Sequence, residues 1–149
     1  MYYFAYGSNL NLKEMKRRVL IYKKVGIALL NDYKLSFKGS YVGYLTLDYE
    51  KGAITPIGIY KIPNYALHKL DIYEGYPYVY DRCNIDVRYN GKIINGVIYI
   101  MNKEFDFKLP DYDYVKRCLQ GYNDFNLNPV ILENALEFTK NIIDNSKKR

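Results

Sequence analysis

The sequence predicts an α+β fold, in which an antiparallel or mixed sheet curls into a small barrel with helices packed on its outside. Three observations lead there. Strand-like runs dominate the first hundred residues and are joined mostly by short turns. Asn90-Gly91 lies between two such runs as the strongest short-range hairpin signal a sequence offers. Helical periodicity takes over only after residue 111.

The elements follow in order. Residues 2–6 form an aromatic run that reads as a buried strand, broken by the turn-formers Gly7-Ser8-Asn9. Asn11 can then cap a short helix, with Glu14 in the capping-box position and Met15 and Val19 on one face. Residues 25–30, 33–37 and 44–48 read as successive strands, and Glu50-Lys51-Gly52 as the turn into a strand over 53–62. Pro56 makes that last strand an edge strand, or one that starts late. Pro63-Asn64 stops it and caps a helix over 65–73, which Gly75 ends in the left-handed conformation. Residues 83–89 and 93–101 flank the Asn90-Gly91 turn. A helix over 112–119 ended by Gly121 follows, and Asn128-Pro129 opens a final helix to about residue 143, with Ile131, Ala135, Phe138 and Ile142 as its inward stripe.

A chain of 149 residues, 49% hydrophobic, suits one domain spanning 1–149, with a helical carboxyl-terminal segment from residue 112 and a solvated basic tail at 146–149. No apolar stretch approaches the roughly 18 residues needed to span a bilayer, and the amino terminus lacks a signal-peptide pattern, so no membrane association and a cytoplasmic location are expected. Cys83 and Cys118 lie far apart and are expected to be free, mostly buried thiols. His68 is the only histidine, which argues against a histidine-based zinc site or a Ser-His-Asp triad; no metal and no cofactor are expected. The net charge of +6 and the 19 tyrosines could serve a nucleic acid, but the tyrosines are spread evenly and part of the charge sits in the tail, so no nucleic-acid partner is expected.

The chemistry must then come from carboxylates and tyrosines. At about 100° per residue from Leu67, Leu70 falls near 300° and Glu74 near 340°, which places a carboxylate between two leucines of the buried stripe. A carboxyl held against apolar surface has its pKa raised toward neutrality, where it can both take and return a proton. The wheel alone leaves a second reading open, and the commoner one: Glu74 caps the helix, pairs with Arg82 or turns outward at its end. The segment Tyr6-Gly7-Ser8-Asn9-Leu10 presents backbone amides just before a helix and can cradle an anion or an oxyanion. It is neither a phosphate loop nor a serine-hydrolase elbow, and taken alone an ordinary tight turn accounts for it.

Phe4-Ala5-Tyr6-Gly7-Ser8-Asn9-Leu10, then Leu70-Asp71-Ile72-Tyr73-Glu74-Gly75-Tyr76-Pro77 and Tyr80-Asp81-Arg82, resembles the γ-glutamylcyclotransferase family, which includes the γ-glutamylamine cyclotransferase and AIG2-like proteins. The segment from Tyr114 to Gly121, containing Cys118, is similar to the one that follows the barrel in the γ-glutamylcyclotransferase branch. The resemblance implies a barrel of about six strands with peripheral helices. It also implies a small-molecule γ-glutamyl substrate cyclised to 5-oxoproline with release of an amine, in a monomer or homodimer that needs no cofactor. The family's catalytic glutamate falls on Glu74, its substrate loop on Tyr6, Gly7, Ser8, Asn9 and Leu10, and its pocket tyrosines on Tyr80, Tyr99 and Tyr114.

Three alternatives stand beside this reading. The donor could be a γ-glutamyl amine or a γ-glutamyl-protected metabolite; a basic residue near the leaving group, with Lys116 and Arg117 as candidates, would favour an acidic one. The chain could instead be a non-catalytic AIG2-like binding module, against which an unpaired carboxylate on an apolar face argues. A nucleic-acid role would show as strongly salt-dependent binding.

Overall fold

The computed structural model describes residues 1–148. Strand β1 (Tyr2–Ala5) is buried along nearly its whole length because it has neighbours on both sides. It runs antiparallel to β3 (Tyr44–Lys61) and parallel to β5 (Lys92–Met101), with Ala5 opposite Gly58 and Tyr3 opposite Val97. The other neighbours pair antiparallel: β3 with β2 (Lys23–Gly39), β2 with the short β6 (Asp106–Phe107), and β5 with β4 (Tyr80–Tyr89). The six-stranded mixed sheet, ordered β4-β5-β1-β3-β2-β6, curls into a half-barrel. Tyr89, at the end of β4, reaches across to donate its hydroxyl to the Val25 carbonyl on β2 at 3.1 Å, which draws the curl inward. Phe4, Phe37, Leu45, Leu47, Ile57, Ile59 and Ile98 fill the interior.

The strands expected at 25–30 and 33–37 are one strand, and so are those at 44–48 and 53–62. Glu50-Lys51-Gly52 does not reverse the chain. Between the pairs Asn31↔Ile54 and Tyr33↔Tyr49, residues 50–53 of β3 oppose Asp32 alone, so the segment forms an oversized bulge within a continuous ladder. Asp32 adopts a positive φ of 67° and its carboxylate accepts the Gly52 amide at 2.9 Å, so the two strands bend together and continue. Pro56 lies inside β3 and not at the sheet edge, yet β1 has already ended at Gly58, so the strand has only β2 beside it there.

Four α-helices stand among the described residues: α1 (Leu12–Val19), α2 (Ala66–Glu74), α3 (Tyr112–Asp124) and α4 (Val130–Lys147). Asn11 caps α1 by accepting from the Glu14 amide, and Met15 and Val19 are buried; Glu14 returns no capping-box bond, its carboxylate facing Arg17 and Arg18 instead. Helix α2 starts one residue later than expected, on backbone bonds from Ala66 to Pro63 and Leu67 to Asn64 with no Asn64 side-chain cap, and Gly75 ends it at φ 66°. Gly121 does not end α3. The helix continues through it to Asp124, and the glycine lets α3 press against the first loop, where a Cβ would lie 2.5 Å from the Asn11 amide nitrogen. Helix α4 extends past residue 143, and its buried line runs through Leu132, Ala135 and Thr139, leaving Ile131, Phe138 and Ile142 half-buried. The Thr139 hydroxyl accepts the Phe37 amide, docking α4 on β2. The expected tail is helical through Lys147, and Arg149 lies outside the described residues. Of the two thiols only Cys118 is buried, with its pKa pushed up to about 12 by that burial; Cys83, on the outer side of β4, is exposed.

Candidate active site

Where β1 ends, the chain turns through Tyr6 and Gly7 into a single 3₁₀ turn, Ser8–Leu10. Leu10 and Asn11 donate their amides to the carbonyls of Gly7 and Ser8, whereas the amides of Gly7, Ser8 and Asn9 bond to no described residue. Three tyrosine hydroxyls tie this loop to β3, α3 and β5. Tyr60 on β3 donates to the Asn9 carbonyl at 2.6 Å and Tyr122 on α3 to the Tyr6 carbonyl at 3.3 Å, while Tyr6 donates to the Tyr99 carbonyl on β5. All are buried, and desolvation raises their hydroxyl pKa values, so they remain neutral donors fixed to backbone acceptors. Gly7 is closely packed: a Cβ would sit 3.3 Å from the Tyr114 hydroxyl, which would have to give way slightly, and in ordinary contact with Leu45 at 3.4 Å.

The last turn of α2 closes over the same space. A cavity of about 370 Å³ is bounded by Tyr6, Gly7, Ser8 and Asn9 on one side and by Ile72, Tyr73, Glu74 and Gly75 on the other, with Tyr3, Phe4, Tyr44, Leu45, Val79, Tyr80, Tyr99 and Tyr114 completing the wall. Glu74 therefore faces inward, joined to the glycine-serine bend by a single cavity, and is not turned into bulk water. Burial raises its carboxyl pKa from 4.5 to about 7, and the positive charge of Arg18 opposes the rise.

One side chain links the loop to this carboxyl. Asn9 Nδ2 donates to Glu74 Oε1 at 3.2 Å and to the Tyr3 hydroxyl at 2.7 Å. Its Oδ1 accepts from Arg18, whose Nη1 also reaches Ser8 Oγ at 3.2 Å. A guanidinium only donates, so its position fixes which end of the Asn9 amide faces Glu74. Arg18 is held in turn by Glu14 at 3.5 Å and by stacking on Tyr73, 3.5 Å from the ring centroid. It makes no ion pair with Glu74, so its effect on the carboxyl is through space and through Asn9.

Of the nine residues singled out in the sequence, eight line the cavity; Leu10 does not, being buried in the core between Gly58 and Gly121. Tyr80 and Tyr114 present ring faces while their hydroxyls serve the backbone: Tyr80 donates to the Leu45 carbonyl at 2.8 Å, and Tyr114 accepts the Leu45 amide at 3.0 Å. Tyr99 turns its hydroxyl to Asp71 at 2.6 Å. Arg82, a possible partner for Glu74, binds Asp71 instead, Nε to Oδ1 at 2.9 Å. Tyr3, Arg18, Tyr44 and Tyr73 were not singled out. Arg18 carried a weaker signal: on the wheel of α1 it lies about 60° from Met15 and about 100° from Val19, at the edge of the apolar stripe, whereas Glu74 lies within that of α2. No group of three or more His, Cys, Asp or Glu side chains stands close enough to hold a metal among the described residues. No helix among them is long and apolar enough to cross a membrane.

The model of the family described as gamma-glutamyl cyclotransferase, AIG2-like matches residues 3–117, which carry every cavity residue. Among solved structures, one titled gamma-glutamyl cyclotransferase is 26% identical and superposes with a TM-score of 0.81 over 92% of this chain and 86% of its own. An uncharacterized protein from Homo sapiens, loc79017, is likewise 26% identical, with a TM-score of 0.79 over 94% of this chain and 84% of its own. YkqA from Bacillus subtilis, at 22% identity, shares the fold, with a TM-score of 0.72 over 94% of this chain and 54% of its own. No curated protein matches the chain.

Proposed function

Because the chain belongs to the gamma-glutamyl cyclotransferase, AIG2-like family, we propose that it cyclises a γ-glutamyl amide to 5-oxoproline and releases the free amine, with Glu74 as the proton shuttle. The observation that carries this reading is a carboxyl with a pKa of about 7 in one cavity with three unengaged loop amides. Such an acid divides its time between both protonation states near neutral pH, as a group that must accept and then deliver a proton requires.

The bond changes follow from the substrate. Ionised Glu74 takes a proton from the α-ammonium; the freed nitrogen attacks the γ-carbonyl carbon and closes a five-membered ring. The carbonyl oxygen becomes an oxyanion beside the amides of Gly7, Ser8 and Asn9. Protonated Glu74 then gives its proton to the departing nitrogen, and the original amide bond breaks. Over the cycle two protons pass from the α-nitrogen to the leaving amine, which departs as an ammonium, and Glu74 ends ionised. Since nucleophile and electrophile belong to one molecule, the principal work of the protein is to hold the glutamyl chain folded for attack. The tyrosine bonds to the loop backbone support that task by fixing the amides before substrate arrives.

The test is 5-oxoproline detection by mass spectrometry after incubation with a panel of γ-glutamyl amino acids and γ-glutamyl amines. Product with the wild-type chain and none with Glu74→Gln is the expected result. An inert wild-type chain across the whole panel would point to a binding module instead.

A further inference from the structure

The cavity has two chemically different ends. At the inner end Tyr6, Ser8 and Asn9 are 6%, 7% and 4% exposed, and the polar groups are loop amides and the Glu74 carboxyl. At the outer end Ile72, Tyr73, Tyr44 and Val79 are 69%, 44%, 40% and 38% exposed. A γ-glutamyl head must lie inward to bring its α-nitrogen to Glu74, so whatever is attached to its amide nitrogen extends along the outer wall.

That outer wall carries no formal charge. Among the described residues lining the cavity, Glu74 is the only one that is charged at neutral pH. The nearby cations stand outside the lining: Arg18 binds Asn9, Ser8 and Glu14 and stacks on the Tyr73 ring 3.5 Å from its centroid, and Arg82 binds Asp71. Lys116 is exposed and Arg117 is half-buried, its guanidinium 5.8 Å from the Tyr114 ring centroid; both stand outside the wall. A carboxylate on the leaving group would therefore approach ionised Glu74 with no cation in the cavity lining to pair with, and an ammonium would find no acid at the mouth. Two aromatic rings and two aliphatic side chains suit an apolar group instead.

Resting on the cyclisation reading above, we infer that the group carried on the leaving nitrogen is uncharged and apolar or aromatic, seated against Tyr44, Ile72, Tyr73 and Val79. Amines that bear an uncharged aromatic or aliphatic group are thus the favoured products, ahead of acidic amino acids and polyamines.

The test measures kcat/KM for 5-oxoproline formation by the full chain on three amides: γ-glutamyl-2-phenylethylamine, γ-glutamyl-β-alanine and γ-glutamyl-putrescine. The expected result is at least about tenfold preference for the phenylethyl amide over either charged one, the scale on which pockets separate leaving groups by apolar contact. Ile72→Arg, at an exposed position where folding is unaffected, should narrow the gap to the β-alanine amide several-fold by supplying the missing cation. Equal or faster turnover of a charged amide by the wild-type chain, or an unchanged ratio in Ile72→Arg, overturns the apolar assignment and leaves cyclisation standing. No 5-oxoproline from any of the three removes the cyclisation reading itself, and this assignment with it.

Discussion

Asp71 and Glu74 are one helical turn apart on α2 and meet opposite surroundings. Asp71 faces β4 and β5, where Arg82 and the Tyr99 hydroxyl both donate to it. Glu74 faces the first loop, where its only hydrogen-bond donor among the described residues is the Asn9 amide, and burial drives its pKa to about 7. A carboxylate with a guanidinium and a phenol on it is a structural fastener; one with a single neutral donor in an apolar cavity is poised to change protonation state. Under the proposed function, position on a helix face, more than residue type, divides the structural carboxyl from the chemical one.

Exchanging each carboxyl for its amide separates the two most widely. Glu74→Gln should lower turnover by roughly 10²–10⁴-fold, the usual weight of general acid–base catalysis, while Asp71→Asn should retain it within about tenfold. Steady-state 5-oxoproline formation checks both, and comparable losses in the two variants would erase the distinction. In urea denaturation the ranking reverses. Asp71→Ala leaves Arg82 and Tyr99 without their acceptor and should cost about 1–3 kcal/mol, whereas Glu74→Gln should cost nothing at neutral pH.

Smaller effects sharpen the electrostatic side. Arg18 holds the Glu74 pKa down, so Arg18→Met should move the rising limb of the kcat/KM against pH profile to higher pH; a profile that keeps its midpoint while only its height falls would limit Arg18 to packing. The smallest expected effect is on stability. With its folded pKa raised from 4.5 to about 7, Glu74 contributes stability that is fully present below about pH 4.5 and lost as pH rises through 7. Glu74→Gln, which stays neutral, should therefore be more stable than wild type at pH 8 and lose that advantage by pH 4, as paired urea titrations would register.

Local chemistry made much of this legible. The Asn90-Gly91 hairpin forms with both residues at positive φ, Gly75 ends α2 in the left-handed region, and Asn11 caps α1. These depend on one to four neighbouring residues, so the sequence carries them whole. The long β2–β3 ladder was not legible, because Asp32 and Gly52, 20 positions apart, bend their strands by bonding to each other. Gly121 misled for a similar reason: its small size serves contact with Asn11 over 110 positions away and not the end of its own helix. In the candidate site, helical phase put Glu74 on the apolar face but left its role open, and the resemblance carried by residues 70–77 supplied it. Arg18 became intelligible only when Asn9 joined it to Glu74. Tyr44 and Tyr73 have no signature in a chain with 19 tyrosines.

The proposed proton shuttle depends on the ionisation of one side chain, which carbon-13 NMR reads directly. With glutamate labelled at the carboxyl carbon, the resonance absent from Glu74→Gln identifies Glu74 in the wild-type spectrum. Its shift, followed from pH 3 to 10, should turn over near 7. A midpoint near the ordinary 4.5 would mean a solvated carboxylate, and the proton shuttle would be gone.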